Sequence, residues 1–513
     1  MEEVVENRKR IAKNTLLLYV RMAFAMIVNL YTSRIILKTL GAEDFGIYGV
    51  VGGIVTMFSF LNASMAGATS RFLTFELGRG NEQSLKETFI SAFYIHIFLC
   101  VIIVFAAETI GLWFLNNKLV IPPDRIFASN WVYQLSILSM IISVTQVPYN
   151  ASIIAHEKIS VFAYVEIINV GLRLLIVYLL LLGNNDKLIL YAVLYLSVSL
   201  LIAGIYRVYC IKTFNECKIK IIGCPKRVKS MLMFSGWDIY GNMCLLLRSQ
   251  GVNMLLNMFF GPVLNAATGI AAQVQSASMS FSSNVLTAVR PQIIKSYAMG
   301  KYGSMNTLLI DTICLNFFLM LLICVPILAE IDFVLRMWLG IVPHYTDTFC
   351  SFLLLSNIFE SASGALICAI HATGNVKKLS FYTGTVYILV LPITYILFIS
   401  GLMPWVSYAI IALSIICNMF VNALILKGSI NTFPLSSFIF RGFLKCILIL
   451  ISSYTIVRIL HFFLEESWFR FVTSCILSTI IIATSGWFFL LPNSIKTNIN
   501  QIYKNRFKRW KSL

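Results

Sequence analysis

Long apolar runs separated by short polar connections fill the chain from about residue 15 to residue 491. A helix needs roughly 18 or more such residues to cross the hydrocarbon layer, and by that measure the pattern predicts fourteen membrane-spanning helices. The first six run from about Thr15 to Leu37, Gly46 to Ala66, Thr88 to Leu115, Ser129 to Ala155, Ile159 to Leu182 and Leu188 to Ile211. The next six run from Ser230 to Asn257, Pro262 to Val289, Thr307 to Glu330, Thr346 to Ala372, Lys378 to Ser400 and Trp405 to Leu426. Two more follow, Phe438 to Leu464 and Trp468 to Leu491. The expected fold class is an all-α polytopic membrane protein.

Positive residues follow the helix count. With the amino terminus in the cytoplasm, roughly 27 Lys and Arg fall in cytoplasmic segments and roughly 5 in outer loops, the bias that orients membrane helices. The outer set is Lys38, Lys118, Arg125, Lys187 and Arg336, against cytoplasmic clusters such as Arg8, Lys9, Arg10 and Lys13. Both termini are therefore expected in the cytoplasm.

The largest connection is the basic stretch 212–229, and the sequence on either side of it repeats. Leu40-Gly41 followed by Gly46-Ile47 echoes Phe260-Gly261 followed by Gly269-Ile270, and Gly78-Arg79-Gly80 echoes Gly300-Lys301. An offset near 220 residues predicts two six-helix lobes, 1–211 and 230–427, joined by the linker 212–229. Helices 13 and 14 (428–491) and a basic tail (492–513) complete the chain. A six-helix repeat returns the chain to the same side, which gives parallel lobes able to rock around a central cavity.

Polar residues in the spans need water or a partner, because a charge in hydrocarbon costs a few kcal/mol even on the mildest scale. Helical spacing places Asp238, Asn242, Ser249 and Asn253 on one face of the seventh helix. In the eighth, Asn265, Gly269, Gln273, Ser276, Ser280, Ser283 and Thr287 form a second stripe. These stripes predict a wet cavity lined by the first, second, seventh and eighth helices, with helix-to-helix adhesion as the competing role. In the tenth helix Glu360 lies near mid-membrane beside Asn357, and the fifth carries Glu166, Asn169 and Arg173. Glu166 and Arg173 are about 10.5 Å apart in rise, so each is expected to meet a partner on another helix. Arg21, Arg173 and Arg248 are candidates to face the cavity, whereas Arg34, Arg207 and Arg458, near helix ends, are expected to snorkel. Asp238, Asn242 and Glu360 are the candidates for ion coupling, a Na+ or H+ site; the competing role for Asp238 is pairing with an Arg.

Composition narrows the function. Of 513 residues 58% are hydrophobic and 12% charged, about half the charged share of a soluble chain. The excess of 40 Lys and Arg over 22 Asp and Glu points to a membrane surface and not to nucleic acid. The twelve cysteines are scattered and mostly apolar in context, so neither a disulfide framework nor a metal site is expected. The charged start Met1 to Asn14 leads into a span too long and too Arg-interrupted for a signal peptide, and is expected to be retained. The sequence has no phosphate loop, no metal-spaced His and carboxylate pair and no Gly-x-Ser-x-Gly turn, so an enzyme is not expected.

The stretches Ser33-Arg34-Ile35-Ile36-Leu37, Leu40 to Tyr48, Phe234-Ser235-Gly236-Trp237, Gln250 to Pro262 and Asn265-Ala266-Ala267 resemble bacterial Wzx-type polysaccharide (O-antigen or capsule) flippases. These belong to the multidrug, oligosaccharidyl-lipid and polysaccharide exporter (MOP, MATE-like) superfamily, and the resemblance covers nearly the whole chain. It implies transport of an undecaprenyl-diphosphate-linked oligosaccharide from the cytoplasmic to the periplasmic leaflet of the bacterial inner membrane, for lipopolysaccharide or capsule synthesis. It also implies gradient coupling, membrane lipids and polysaccharide polymerase machinery as partners, and a monomer. The substrate cavity would comprise Arg21, Arg173, Arg248, Asn253, Gln273, Ser276 and Ser283, with arginine forks suited to the diphosphate. The alternative is a MATE-type multidrug exporter, for which Asp238, Glu166 and Glu360 would serve cationic drugs.

Overall fold

In the computed structural model, residues 2–78, 80–156, 158–182, 186–218, 228–492 and 496 are described. The side chains of Arg21 and Asp238 lie outside the described residues, as do residues 219–227 of the linker. Every described regular element is a helix. Ten of them are long and apolar enough to cross a membrane, and the expected first, seventh and eighth spans also fall on helical segments, whereas the second, Gly46 to Ala66, is interrupted at Met57-Phe58. The protein is an all-α, multi-pass membrane protein.

The chain divides by packing into two compact units, Met1–Gly269 and Ile270–Leu513. This partition differs from the repeat halves expected around the 212–229 linker, because packing groups the start of the second repeat with the first.

Unit 1 begins with α1 (Glu2–Thr56), which is two helices joined at Gly41, where the backbone leaves the helical region at φ 81°, ψ 167°. After a turn at Met57-Phe58 come α2 (Ser59–Gly78), α3 (Glu82–Ala106), a wide turn (Ala107–Gly111) and α4 (Leu112–Asn117). Next are α5 (Ile126–Ala155), α6 (Ile159–Leu182), α7 (Lys187–Thr213) and α8 (Val228–Leu246). A second wide turn, Leu247–Gly251, leads to α9 (Val252–Phe260), and α10 (Pro262–Ala298) carries the chain onward. The core of the unit is the inner face of residues 42–56, where Ile47, Val50, Val51 and Ile54 meet Ala92, Ile95 and Ile103 of α3 and Val132 and Tyr133 of α5. Small residues permit the closest approaches. A Cβ on Gly46 would stand 1.9 Å from the Pro262 carbonyl oxygen, so only glycine lets α1 meet the start of α10.

The offset near 220 recurs in the backbone. Gly41 and Gly261 share a conformation reserved in practice for glycine, φ 81° and 84° with ψ near 170°. Gly80 and Gly300 both stand at φ 70° after α2 and α10.

Unit 2 continues with α11 (Tyr302–Ala329), the short α12 (Ile331–Leu339), α13 (Thr346–Thr373), α14 (Val376–Ile399) and α15 (Trp405–Ser429). A brief α16 (Leu435–Ser437) and a wide turn lead into α17 (Leu444–Leu460), and α18 (Trp468–Ser485) is followed by a last wide turn, Gly486–Leu490. In this unit α13 packs against α11 and α15, and the α17/α18 hairpin packs against α11. Glu330, at the break between α11 and α12, fixes that hairpin: it accepts from Arg470 Nε and Nη2 at 3.1 and 2.9 Å and from Ser474 Oγ at 2.8 Å.

Candidate substrate cavity

The cavity that gathers polar side chains lies inside unit 1 and measures about 570 Å3. One wall is α1 beyond its kink, where Gly49, Gly52 and Gly53 withdraw side-chain bulk. The facing wall is α5, whose Ser136, Ser139, Ser143, Gln146 and Asn150 recur every three or four residues and so share one helix face. From α6 come Asn169 and Arg173, one turn apart, and from α7 Tyr195, Ser199 and Tyr206. Gln250, in the wide turn after α8, completes the lining. Its carboxamide lies against Gly53, where an added Cβ would come within 2.7 Å of Oε1.

Arg173 is the cation of this chamber. Its Nη2 donates to Tyr195 Oη at 3.3 Å, the guanidinium lies 5.2 Å from the centre of the Tyr195 ring, and its Nε is buried with no hydrogen-bond partner among the described residues. Tyr48, Tyr191 and Tyr195 pack edge-on or tilted around one another beside it, at centroid distances of 4.7 to 6.4 Å. Among the described lining residues there is no Asp or Glu. The chamber offers hydroxyls, carboxamides, tyrosine faces and one guanidinium, which is the charged group among its described lining residues.

The other sequence candidates are distributed as follows. Arg248 is buried in the wide turn Leu247–Gly251 and does not line this cavity. Asn253 Oδ1 accepts from Asn265 Nδ2 at 2.7 Å and from Thr268 Oγ1 at 2.6 Å, tying α9 to α10. Gln273, Ser276 and Ser283 belong to unit 2. Ser276 and Ser283 are exposed there, and Gln273 has a buried Oε1 with no hydrogen-bond partner among the described residues. Asn242 is half-buried in unit 1, whereas Glu360 is half-buried in unit 2, where its Oε2 lies 3.5 Å from Gln275 Nε2. Among the described residues no group of three or more His, Cys, Asp or Glu side chains is placed to hold a metal ion.

One expectation is corrected. Arg207 does not snorkel, because α7 turns it toward α5, where Nη2 donates to Thr145 Oγ1 at 2.6 Å and Nε to Gln146 Oε1 at 3.4 Å. The α5 face was absent from the candidates, although its three-and-four spacing is visible in the sequence.

No family model matches the chain, and no curated protein matches it in sequence. Solved structures do. The lipid II flippase MurJ in an inward closed conformation superposes with a TM-score of 0.69 at 15% identity, over 92% of this chain and 98% of that one. An inward-facing multidrug resistance MATE family transporter of the MOP superfamily gives 0.67 at 14% identity, over 81% of this chain and 99% of that one. A MOP superfamily transporter from Pyrococcus furiosus, described as having a binding pocket of reverse polarity that suggests a different function, gives 0.59 at 14% identity, over 83% and 96%. At these identities the likeness is one of fold, and the chain has the polytopic all-α fold that MurJ shares with the MATE transporters of the MOP superfamily.

Proposed function

We propose that this protein is a flippase that carries an undecaprenyl-diphosphate-linked oligosaccharide from the cytoplasmic to the periplasmic leaflet by alternating access, for lipopolysaccharide or capsule synthesis. The observation that carries this reading is the acid-free chamber around Arg173. A cation exporter has to offset the charge of its cargo as it leaves water, whereas the described lining here carries a guanidinium and no carboxylate. A sugar chain is satisfied by the hydroxyl and carboxamide ladder of α5, and tyrosine faces suit its C–H surfaces. A diphosphate or acidic sugar is met by guanidinium forks, for which Arg21, Arg173 and Arg248 are the candidates.

In this reading the lipid tail stays in the bilayer while the sugar crosses, and a Na+ or H+ gradient acting through Asp238, Asn242 or Glu360 drives the cycle. The fold supports it to the extent that MurJ is itself named a lipid II flippase.

The test is reconstitution. Lipid-linked oligosaccharide extracted from the source cells is placed in proteoliposomes, and its arrival in the opposite leaflet is followed with a membrane-impermeant oxidant. Wild-type protein should move it, and Arg173→Gln should slow it at least tenfold with Arg173→Lys recovering part of the loss. Movement of lipophilic cations without movement of the glycolipid would overturn the reading in favour of a multidrug exporter.

A further inference from the structure

Hydroxyls and carboxamides are ambivalent groups that can donate or accept, so a lining made of them does not by itself specify what it binds. Two arginines remove that ambivalence. Arg207 donates from Nη2 to Thr145 Oγ1 and from Nε to Gln146 Oε1. A guanidinium has no acceptor, so the carboxamide of Gln146 must turn its oxygen toward Arg207 and its nitrogen away. That nitrogen donates to Asn150 Oδ1 at 3.2 Å. The carbonyl of Asn150 is thereby held toward Gln146, which leaves its NH2 group as the donor this lining residue has to give. Arg207 is itself held in place, its guanidinium 5.8 Å from the Tyr149 ring centre and its acceptor Thr145 donating onward to the Ile141 carbonyl at 2.8 Å. Across the chamber Arg173 acts in the same sense: its Nη2 engages Tyr195 Oη as an acceptor, which frees the hydroxyl hydrogen of Tyr195 for another partner.

We infer that the two arginines polarise the chamber into a set of donors, and that Arg207, which does not line it, is a positioning residue that makes Asn150 a donor to an acceptor oxygen of the cargo. The cargo group that fits is a carbonyl, carboxylate or phosphate oxygen on the sugar chain. This rests on the flippase reading given above.

The experiment is a double-mutant cycle in the glycolipid assay, read as the half-saturating concentration and the maximal rate separately. Asn150→Asp keeps the shape and replaces the donor with acceptor oxygens, and should raise the half-saturating concentration tenfold or more. Arg207→Met should do the same by releasing Gln146. Because Arg207 acts through Asn150, the double variant Arg207→Met with Asn150→Ala should be no worse than Asn150→Ala alone. Where Arg207→Met lowers the yield of monodisperse protein, Gln146→Glu tests the same relay from its middle, since its second oxygen faces Asn150 Oδ1 and turns Asn150 over.

Multiplying effects in the double variant, or wild-type half-saturation in Asn150→Asp, would overturn the relay while leaving the flippase intact. A wild-type protein that moves no glycolipid would instead overturn the reading on which the relay rests.

Discussion

Gly41 and Gly261, 220 residues apart, hold the same glycine-only backbone, at φ 81°, ψ 167° and φ 84°, ψ 178°. Each separates two helical segments, Gly41 within α1 and Gly261 between α9 and α10. No described residue lies within 4 Å of a Cβ built at either position, so the cost of a side chain there is conformational. Gly41→Ala and Gly261→Ala should each lower stability by about 1–3 kcal/mol, seen as a lower thermal midpoint of detergent-purified protein. Gly46→Ala has an ordinary helical φ yet drives a methyl into the Pro262 carbonyl, and should fall further than either. Equal midpoints for Gly46→Ala and wild type would show that α1 does not need that close approach.

The Glu330 cluster sets a contrast between buried and exposed ion pairs within unit 2. Glu330 is 1% exposed and takes two hydrogen bonds from the Arg470 fork, whereas Arg336 and Glu466, 56% and 39% exposed, pair at the surface. Removing one partner of a buried pair strands a charge, so Glu330→Gln should cost about 3–5 kcal/mol. Glu466→Gln should cost less than about 1 kcal/mol, since water already screens both groups. Chemical-denaturant or thermal scans of the two variants side by side decide this. Equal losses would mean that Glu330 does not anchor the α17/α18 hairpin.

Acid should loosen the same hairpin. His461, in the turn after α17, places Nε2 2.8 Å from Glu330 Oε1 and 3.4 Å from Ser474 Oγ. Burial pushes its pKa down, with Glu330 opposing and the Arg470 and Arg458 charges adding to the depression. A base held below its free value of about 6.5 binds fewer protons when docked than when released. Docking is therefore at full strength above about pH 6.5 and weakens as the pH falls through that value toward the docked one. Hydrogen exchange of residues 444–485, corrected for intrinsic rates, should quicken between pH 7.5 and 5.5 in wild type and change less in His461→Gln. The same acceleration in both proteins would assign the effect to another group.

The helices were written plainly in the chain because a bilayer demands apolar runs of fixed length, and the Gly41 and Gly261 breaks because the residue type itself limits the backbone. Partners across helices were not. Arg207 sits near the end of its span, where snorkelling is the usual outcome, and only the direction in which α7 faces α5 turns it inward. Arg125 reads as one of a few outer-loop cations. It pairs with Asp44 and Asp186, residues from three separate segments that no local pattern connects. The α5 face of Ser136, Ser139, Ser143, Gln146 and Asn150 was legible by spacing, yet the denser stripes of the seventh and eighth helices outweighed it.

Energy coupling gives the last prediction. Asp238 and Asn242 are one turn apart on the seventh span, the spacing on which a carboxylate and a carboxamide oxygen are proposed as joint ligands of a small hard cation. Glu360 stands on the polar face of α13 in unit 2, where Gln275 Nε2 approaches its Oε2 at 3.5 Å and the neighbouring Asn357 Nδ2 donates to Ser278 Oγ at 2.7 Å. A coupling carboxylate must gain and lose an ion in the cycle, whereas a structural one stays paired throughout. Asp238→Asn and Glu360→Gln keep size and polarity and remove the charge, so the two roles separate by readout. A coupling residue should lose gradient-driven glycolipid movement tenfold or more under either a sodium or a proton gradient, with cargo binding and protein yield kept. A structural residue should lose folded protein first. The gradient whose effect disappears identifies the ion, and normal transport by both variants under both gradients would place coupling elsewhere.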